Sequence, residues 1–147
     1  GPDVMIVASV SGRGSRRGGM RAAQDILQAY PDLDGFLAIN DPSALGAIAV
    51  LGAGGEVRTA VVSFDGLPEA RRAVKDGKLH AIVVNRPREI GATAARAVAN
   101  FLSGKPVKRQ VLVAPRLYRK ADALKDPTLK AKTKTDPIGR PQPKSPA

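Results

Sequence analysis

Asn40 and Asp41, Asp65, Asn85 with Arg86, and the polar stretch from Ser11 to Arg16 all stand where a short apolar run gives way to a loop. Asn and Asp side chains are short, stiff hydrogen-bonding forks, and the Arg guanidinium is a planar set of donors. Gathered at one place, such groups suit a ligand bearing several neighbouring hydroxyls. Taken singly, each has a plainer use: Asp41 can cap a following helix, and Asp65, before Gly66, can hold a turn. Covalent chemistry has little to work with. The chain has no Cys and a single histidine, His80, and it carries no Gly-x-Ser-x-Gly, HExxH or Walker A pattern. No enzyme activity is expected, and His80, at the start of a strand-like run, reads as structural. The glycine-rich SGRGSRRGG (residues 11–19) keeps a rival reading open, a dinucleotide-binding loop that cradles a pyrophosphate on backbone amides with Asp41 as the ribose-binding acid. Arg17, however, stands where the third glycine of that pattern belongs. A mobile turn accounts for the glycines as well, and a solvated basic edge for Arg13, Arg16, Arg17 and Arg21.

Positioning these residues falls to the apolar runs VMIVASV (4–10), GFLAIN (35–40), AVVSFD (60–65) and LHAIVVN (79–85), short and mostly aliphatic, which read as strands covered on both faces. VLVA (111–114) reads as a fifth. Between the first two, Met20, Ala23, Leu27 and Tyr30 recur at helical spacing until Pro31. A second helix follows Asp41, with Pro42 at its first position and Ala44, Leu45, Ile48 and Ala49 on one stripe, and ends among Gly52, Gly54 and Gly55. A third begins at Pro68, with Ala70 and Val74 inward, Arg71, Arg72 and Lys75 outward, and Gly77 as its stop. A fourth begins at Pro87 and places Ile90, Ala94, Ala97, Val98 and Phe101 on one side until Gly104. This alternation predicts an α/β fold, a doubly wound parallel sheet with helices on both faces. In such sheets ligands bind in the crevice at the carboxyl ends of the strands, which is where the polar residues above stand.

At 147 residues, 43% hydrophobic and 25% charged, the chain is long enough for one domain with a real core. No run approaches the ~18 apolar residues of a membrane span. The net charge of +11 is uneven: residues 115–147 hold nine Lys or Arg against three acids. That tail is rich in Pro, Lys and Thr and shows no apolar periodicity after Leu124, so residues 119–147 are expected to be largely disordered. Basic residues without stacking aromatics beyond Tyr118 argue against a nucleic-acid partner. The chain opens on Gly1-Pro2, close to its first strand-like run, and the natural N-terminus is expected to be missing. The absence of Cys fits either redox compartment.

The stretches GGMRAAQDILQAYPDLDGFLAINDPSALGAIAVL and VVSFDGLPEARRAVKDGKLHAIVVNRPREIGATAARAVANFLSGK resemble the C-terminal half of the ribose-type periplasmic sugar-binding proteins that serve ABC importers. The resemblance covers roughly residues 4–118 and rests on a helix ending in YPD, then AINDPSALGA, SFDG and NRP, in order. It implies one lobe of a two-lobed fold, with residues 1–85 as the sugar-binding lobe, incomplete at its start. Residues 86–118 would hold a hinge at Arg86 and Pro87 and then a helix and strand belonging to the other lobe. It further implies that Asn40, Asp65 and Asn85 hydrogen-bond a monosaccharide and that Arg16 lies near a further ligand-contacting position, in a loop that here has no aromatic residue. The implied partners are a monosaccharide or related polyol, an ABC permease in the membrane, and a missing N-terminal lobe or a second copy of the chain. The implied location is periplasmic or extracytoplasmic, and no metal or cofactor is implied. The ligand-binding domains of lactose-repressor-like regulators share these lobes and form the alternative, less favoured by SFDG and by the lack of a helix-turn-helix.

Overall fold

The computed structural model describes residues 4–53 and 58–129. Helix α1 (Arg16–Ala29) precedes strand β1 (Gly35–Leu37). Then come α2 (Asp41–Leu51), β2 (Ala60–Asp65), α3 (Pro68–Lys75), β3 (Ala81–Val84), α4 (Pro87–Leu102), β4 (Arg116–Arg119), α5 (Lys120–Lys125) and a 3-10 turn, Pro127–Leu129. The sheet order is β1-β2-β3-β4, with the first three strands parallel and β4 antiparallel to β3. The α/β class with a wound parallel sheet is as expected, and the carboxyl ends of β1, β2 and β3 share one edge.

Strand alternation turns Val61, Ile82 and Tyr118 onto one face, where they are fully buried with Val74 of α3 and with Ala44 and Leu45 of α2. On the opposite face Leu37 is 78% exposed, and Phe64 and Leu117 are also open. Among the described residues, then, helix cover is one-sided. Helix α4 buries none of its residues.

Helices α1 and α2 meet through small residues. A Cβ on Gly19 would lie 2.2 Å from the Ser43 carbonyl oxygen, and one on Gly46 would lie 2.0 Å from that of Arg16. This close approach overrides the expected stripe on α1: the buried residues are Gly19, Ala22, Ala23 and Ile26, while Met20 and Tyr30 are exposed. Backbone contact, rather than the largest apolar side chains, decides which side of α1 faces inward.

Three expectations need correction. Residues 4–10 form no strand; among the described residues no strand pairs with them, and Val4, Met5 and Ile6 are each 82% exposed. Residues 111–114 form no strand; the last strand among the described residues is Arg116–Arg119, which pairs with β3. Its alternation turns Tyr118 inward beside Ile82 and leaves arginines on the open edge, which suits a half-exposed edge strand better than the uniformly apolar VLVA. The tail is ordered further than its composition suggests: α5 and the 3-10 turn follow β4, with Ala123 and Asp126 buried. Polar contacts hold this segment, so apolar periodicity could not reveal it. Residues 54–57, with the expected helix stop at Gly54 and Gly55, and residues 130–147 lie outside the described residues.

Candidate functional site

The three candidate ligand residues stand at or just past the carboxyl ends of β1, β2 and β3. Leu37 pairs with Val62 and Asp65 with Val84; Asn40 follows the end of β1 by three residues, Asp65 ends β2, and Asn85 follows β3 by one. All three stand on the carboxyl edge. His80 is exposed before β3, at the opposite edge, where its backbone N–H donates to the Val61 carbonyl.

Asp65 and Asn85 are brought into direct contact. The Asn85 Nδ2 donates to Asp65 Oδ1 at 3.2 Å, and the Asn85 backbone N–H donates to the Asp65 carbonyl at 3.3 Å. Asp65 is exposed and ends β2 with φ 111°, a left-handed conformation unusual for a residue with a Cβ. Gly66 continues it at φ 99°, and a Cβ there would press on Val84 at 2.9 Å. Such a backbone persists only when its surroundings over-determine it.

Asp41 supplies much of that restraint. It is fully buried, and its carboxylate accepts the Ser63 hydroxyl and the backbone N–H groups of Gly66, at 2.8 Å, and Leu67. The expected helix cap is therefore Asn40 instead: its Oδ1 accepts the Ser43 N–H at 3.0 Å, and its Nδ2 donates to the Gly14 carbonyl at 3.0 Å. An amide has two N–H groups and two lone pairs, so these bonds leave Asn40 capacity for one further donor and one further acceptor contact.

Arg16 begins α1 and pairs with Glu69 in the first turn of α3, both side chains largely exposed. This pair spans from the glycine-rich loop to the helix that follows the Asp65–Gly66 turn. Arg86 caps α4 in position but without a side-chain cap bond, pairs with Glu89 at 2.8 Å, and is followed by Pro87 at the helix start. In the glycine-rich loop Ser15 caps α1, accepting the Gly18 N–H, and a Cβ on Gly18 would lie 1.9 Å from the Gly12 carbonyl oxygen. Here a glycine serves the loop's own packing. An open cavity of about 360 Å³ beside α1 is lined by Arg13, Arg17 and Arg21, and none of Asn40, Asp65 or Asn85 reaches it.

Arg71 was expected outward on α3 and is not. Its Nε donates to the Gly66 carbonyl at 2.8 Å, so the turn beside Asp65 is held from both sides of one residue, by Asp41 at the N–H and by Arg71 at the C=O. The helical spacing of α3 carries no sign of this, since the arginine's partners come from the preceding loop and from far along the chain. Among the described residues no cluster of His, Cys, Asp or Glu could hold a metal ion.

Residues 1–106 match the family model described as a periplasmic binding protein domain. The ribose import binding protein of Escherichia coli K12 is 36% identical over 115 residues, covering 78% of this chain and 39% of that protein. A D-apiose import binding protein from Paraburkholderia graminis is 34% identical over 127 residues, covering 83% of this chain and 40% of its own length. Among solved structures, an ABC transporter periplasmic solute-binding protein from Actinobacillus succinogenes with bound D-allose superposes with a TM-score of 0.77 at 28% identity, covering 85% of this chain and 45% of that one. The chain thus spans about two-fifths of the length of the curated relatives it matches. With the model matching most of its residues and the wound sheet shared, the chain belongs to the periplasmic binding protein domain family.

Proposed function

We propose that this chain is the sugar-contacting lobe of a solute-binding component of an ABC-type importer. In this reading it forms one wall of a pocket that captures a monosaccharide or related polyol between two lobes and presents it, without chemical change, to a membrane permease from the periplasmic side. The observation that carries the reading is the Asp65 and Asn85 pair at the carboxyl edge, with Asn40 just past the same end of β1 and all three within the family-matched residues. A carboxylate accepts two neighbouring hydroxyls, and the adjacent amide both donates and accepts, which is the pattern a vicinal diol presents. Arg16, at the start of α1 and paired with Glu69, is read as a further donor. Arg86 and Pro87, between β3 and a helix that buries none of its residues, are the hinge about which the lobes close; hinge closure in periplasmic binding proteins is itself a standard example of domain motion. The relatives above are import binding proteins, which favours this reading over the regulator. Gly18 in contact with its own loop weighs against the dinucleotide cradle.

Titrating the isotope-labelled chain with D-ribose, D-allose and D-apiose tests the reading. A single wall buries only part of a small ligand, so affinity is expected at about the millimolar level, with amide shifts confined to the surroundings of Asn40, Asp65 and Asn85. No response at those positions, or tight binding of NADH, overturns it.

A further inference from the structure

Arg71 joins the turn beside Asp65 to a segment at the far end of the described chain. While its Nε donates to the Gly66 carbonyl at 2.8 Å, its Nη1 reaches Asp126 Oδ2 at 3.1 Å, and its guanidinium lies 5.0 Å from the centre of the Tyr118 ring. The buried Tyr118 donates its hydroxyl to the same Asp126 oxygen at 2.8 Å, and Thr128 closes the other oxygen with its backbone N–H and its hydroxyl, at 2.9 and 2.6 Å. Every oxygen of Asp126 is thus engaged, and the planar arginine is fixed by an acceptor, a carboxylate and an aromatic face. A guanidinium so held is pre-organised to grip a carbonyl in one place. The family match ends at residue 106, so Tyr118, Asp126 and Thr128 all lie beyond it.

We infer that Arg71 is a positioning residue for the ligand turn, and that the clasp of Tyr118, Asp126 and Thr128 sets where Arg71 holds it. This rests on the reading of Asp65 as a ligand contact. Asp65 and Gly66 both carry positive φ, and Asp41 holds the N–H groups of Gly66 and Leu67 while Arg71 holds the Gly66 carbonyl. The Gly66 carbonyl shares its peptide plane with the Leu67 N–H, so releasing the carbonyl leaves that peptide held by Asp41 alone and the adjoining Asp65, whose carboxylate Asn85 meets, less firmly placed. Tyr118, Asp126 and Thr128 thereby tune the site through Arg71.

Hydrogen exchange of the chain without sugar provides the first readout, comparing the Gly66 and Leu67 amides with that of Ala38, which donates to Val62 outside the clasp. In Arg71→Met and Asp126→Asn the Gly66 and Leu67 amides are expected to exchange about tenfold faster relative to Ala38, with the Asn85 side-chain amide resonances displaced. A uniform rise at all three amides means only lost stability and overturns the inference, as does a ratio unchanged in both variants. Should Arg71→Met fail to fold, Asp126→Asn and the milder Tyr118→Phe carry the test. The second readout is the sugar titration: a looser turn with an undiminished response at Asp65 also overturns the inference. A looser turn in the variants, beside a parent chain that answers to no sugar, upholds the positioning role and overturns the sugar reading instead.

Discussion

The carboxylate of Asp41, wholly buried at the start of α2, accepts the backbone N–H of Gly66 at 2.8 Å, so the turn after β2 is anchored to the helix that follows β1. The same carboxylate takes the Ser63 hydroxyl and the Leu67 N–H. Asp41→Ala strands these donors away from water, and we expect it to cost about 3 kcal/mol, with Asp41→Asn costing less because one oxygen remains to accept. Chemical denaturation measures both; an alanine variant as stable as the parent would remove the anchor.

Ser43 presents the opposite case. Its hydroxyl is buried and has no hydrogen-bond partner among the described residues, while its backbone N–H is satisfied by Asn40. Alanine removes the orphaned oxygen, leaves the cap bond and favours the helix. Ser43→Ala should therefore stabilise the chain by about 1 kcal/mol, read as a higher denaturation midpoint with unchanged slope. A lower midpoint would show that the hydroxyl has a partner in solution.

Gly46 should tolerate no side chain. A Cβ there would lie 2.0 Å from the Arg16 carbonyl oxygen, a backbone atom that moves only if α1 moves. Gly46→Ala is expected to cost about 3 kcal/mol and to shift the amide resonances of α1 more than those of β3. Gly91 on α4 has nothing near its Cβ position, and alanine there is the control that should be neutral or stabilising.

Much of this was legible in local sequence, and the exceptions share a cause. Pro42, Pro68 and Pro87 each mark the first turn of a helix, and Asp65 and Asn85 fall at strand ends as their runs suggested. Periodicity failed where a distant partner decides the outcome. Arg71 looks like a solvent-facing residue of α3 until Asp126, 55 positions later, is placed beside it. Residues 4–10 have the composition of a strand, but a strand needs a neighbour, and among the described residues none pairs with them. Asp41 reads as a cap because aspartate commonly caps; one residue of register gives that task to Asn40 and turns Asp41 into the core.

The clasp should give stability a two-sided pH dependence. Asp126 is held well below the ordinary carboxylate range, chiefly by the Thr128 hydroxyl and against the opposing effect of burial, with Tyr118 and Arg71 adding to the lowering. Because the folded chain binds that proton less readily than the unfolded one, the contribution is complete above the ordinary value of about 3.9 and disappears as pH falls through the lowered one. Tyr118 behaves conversely: burial first, then its bond to Asp126, push it up to about 12. Its contribution is complete below the ordinary value near about 10 and is lost as pH rises through the raised one. Denaturation across pH should show both limbs, the acid one reduced in Asp126→Asn and the alkaline one in Tyr118→Phe. In a Tyr30→Phe background Tyr118 is the remaining tyrosine, and its phenolate absorbance reports the raised titration directly. A Tyr118 midpoint near its ordinary value would mean the hydroxyl is open to water.

The fourth helix carries an apolar stripe left open among the described residues. Ile90, Val98, Phe101 and Leu102 are 47, 59, 74 and 78% exposed, and α4 buries no residue at all. Covering side chains of this size is worth about 1.5–3 kcal/mol each, a large share of a domain's net stability, so the stripe strongly favours any apolar surface it can meet. The open sheet face bearing Leu37, Phe64 and Leu117 on another copy is one such surface. Micromolar solutions of the chain are therefore expected to self-associate, with sedimentation showing a concentration-dependent rise in mass. Exchange of the amides from 88 to 103 should slow over the same range as the stripe becomes covered. Pro87 lets α4 swing as a unit, since it fixes the helix start without a bond back to the sheet. Phe101→Glu, which places a charge on the stripe without touching the sheet, should leave the chain monomeric and equally stable. A parent chain that stays strictly monomeric, with α4 as well protected as β2 and β3, would mean that the helix finds its cover within a single copy.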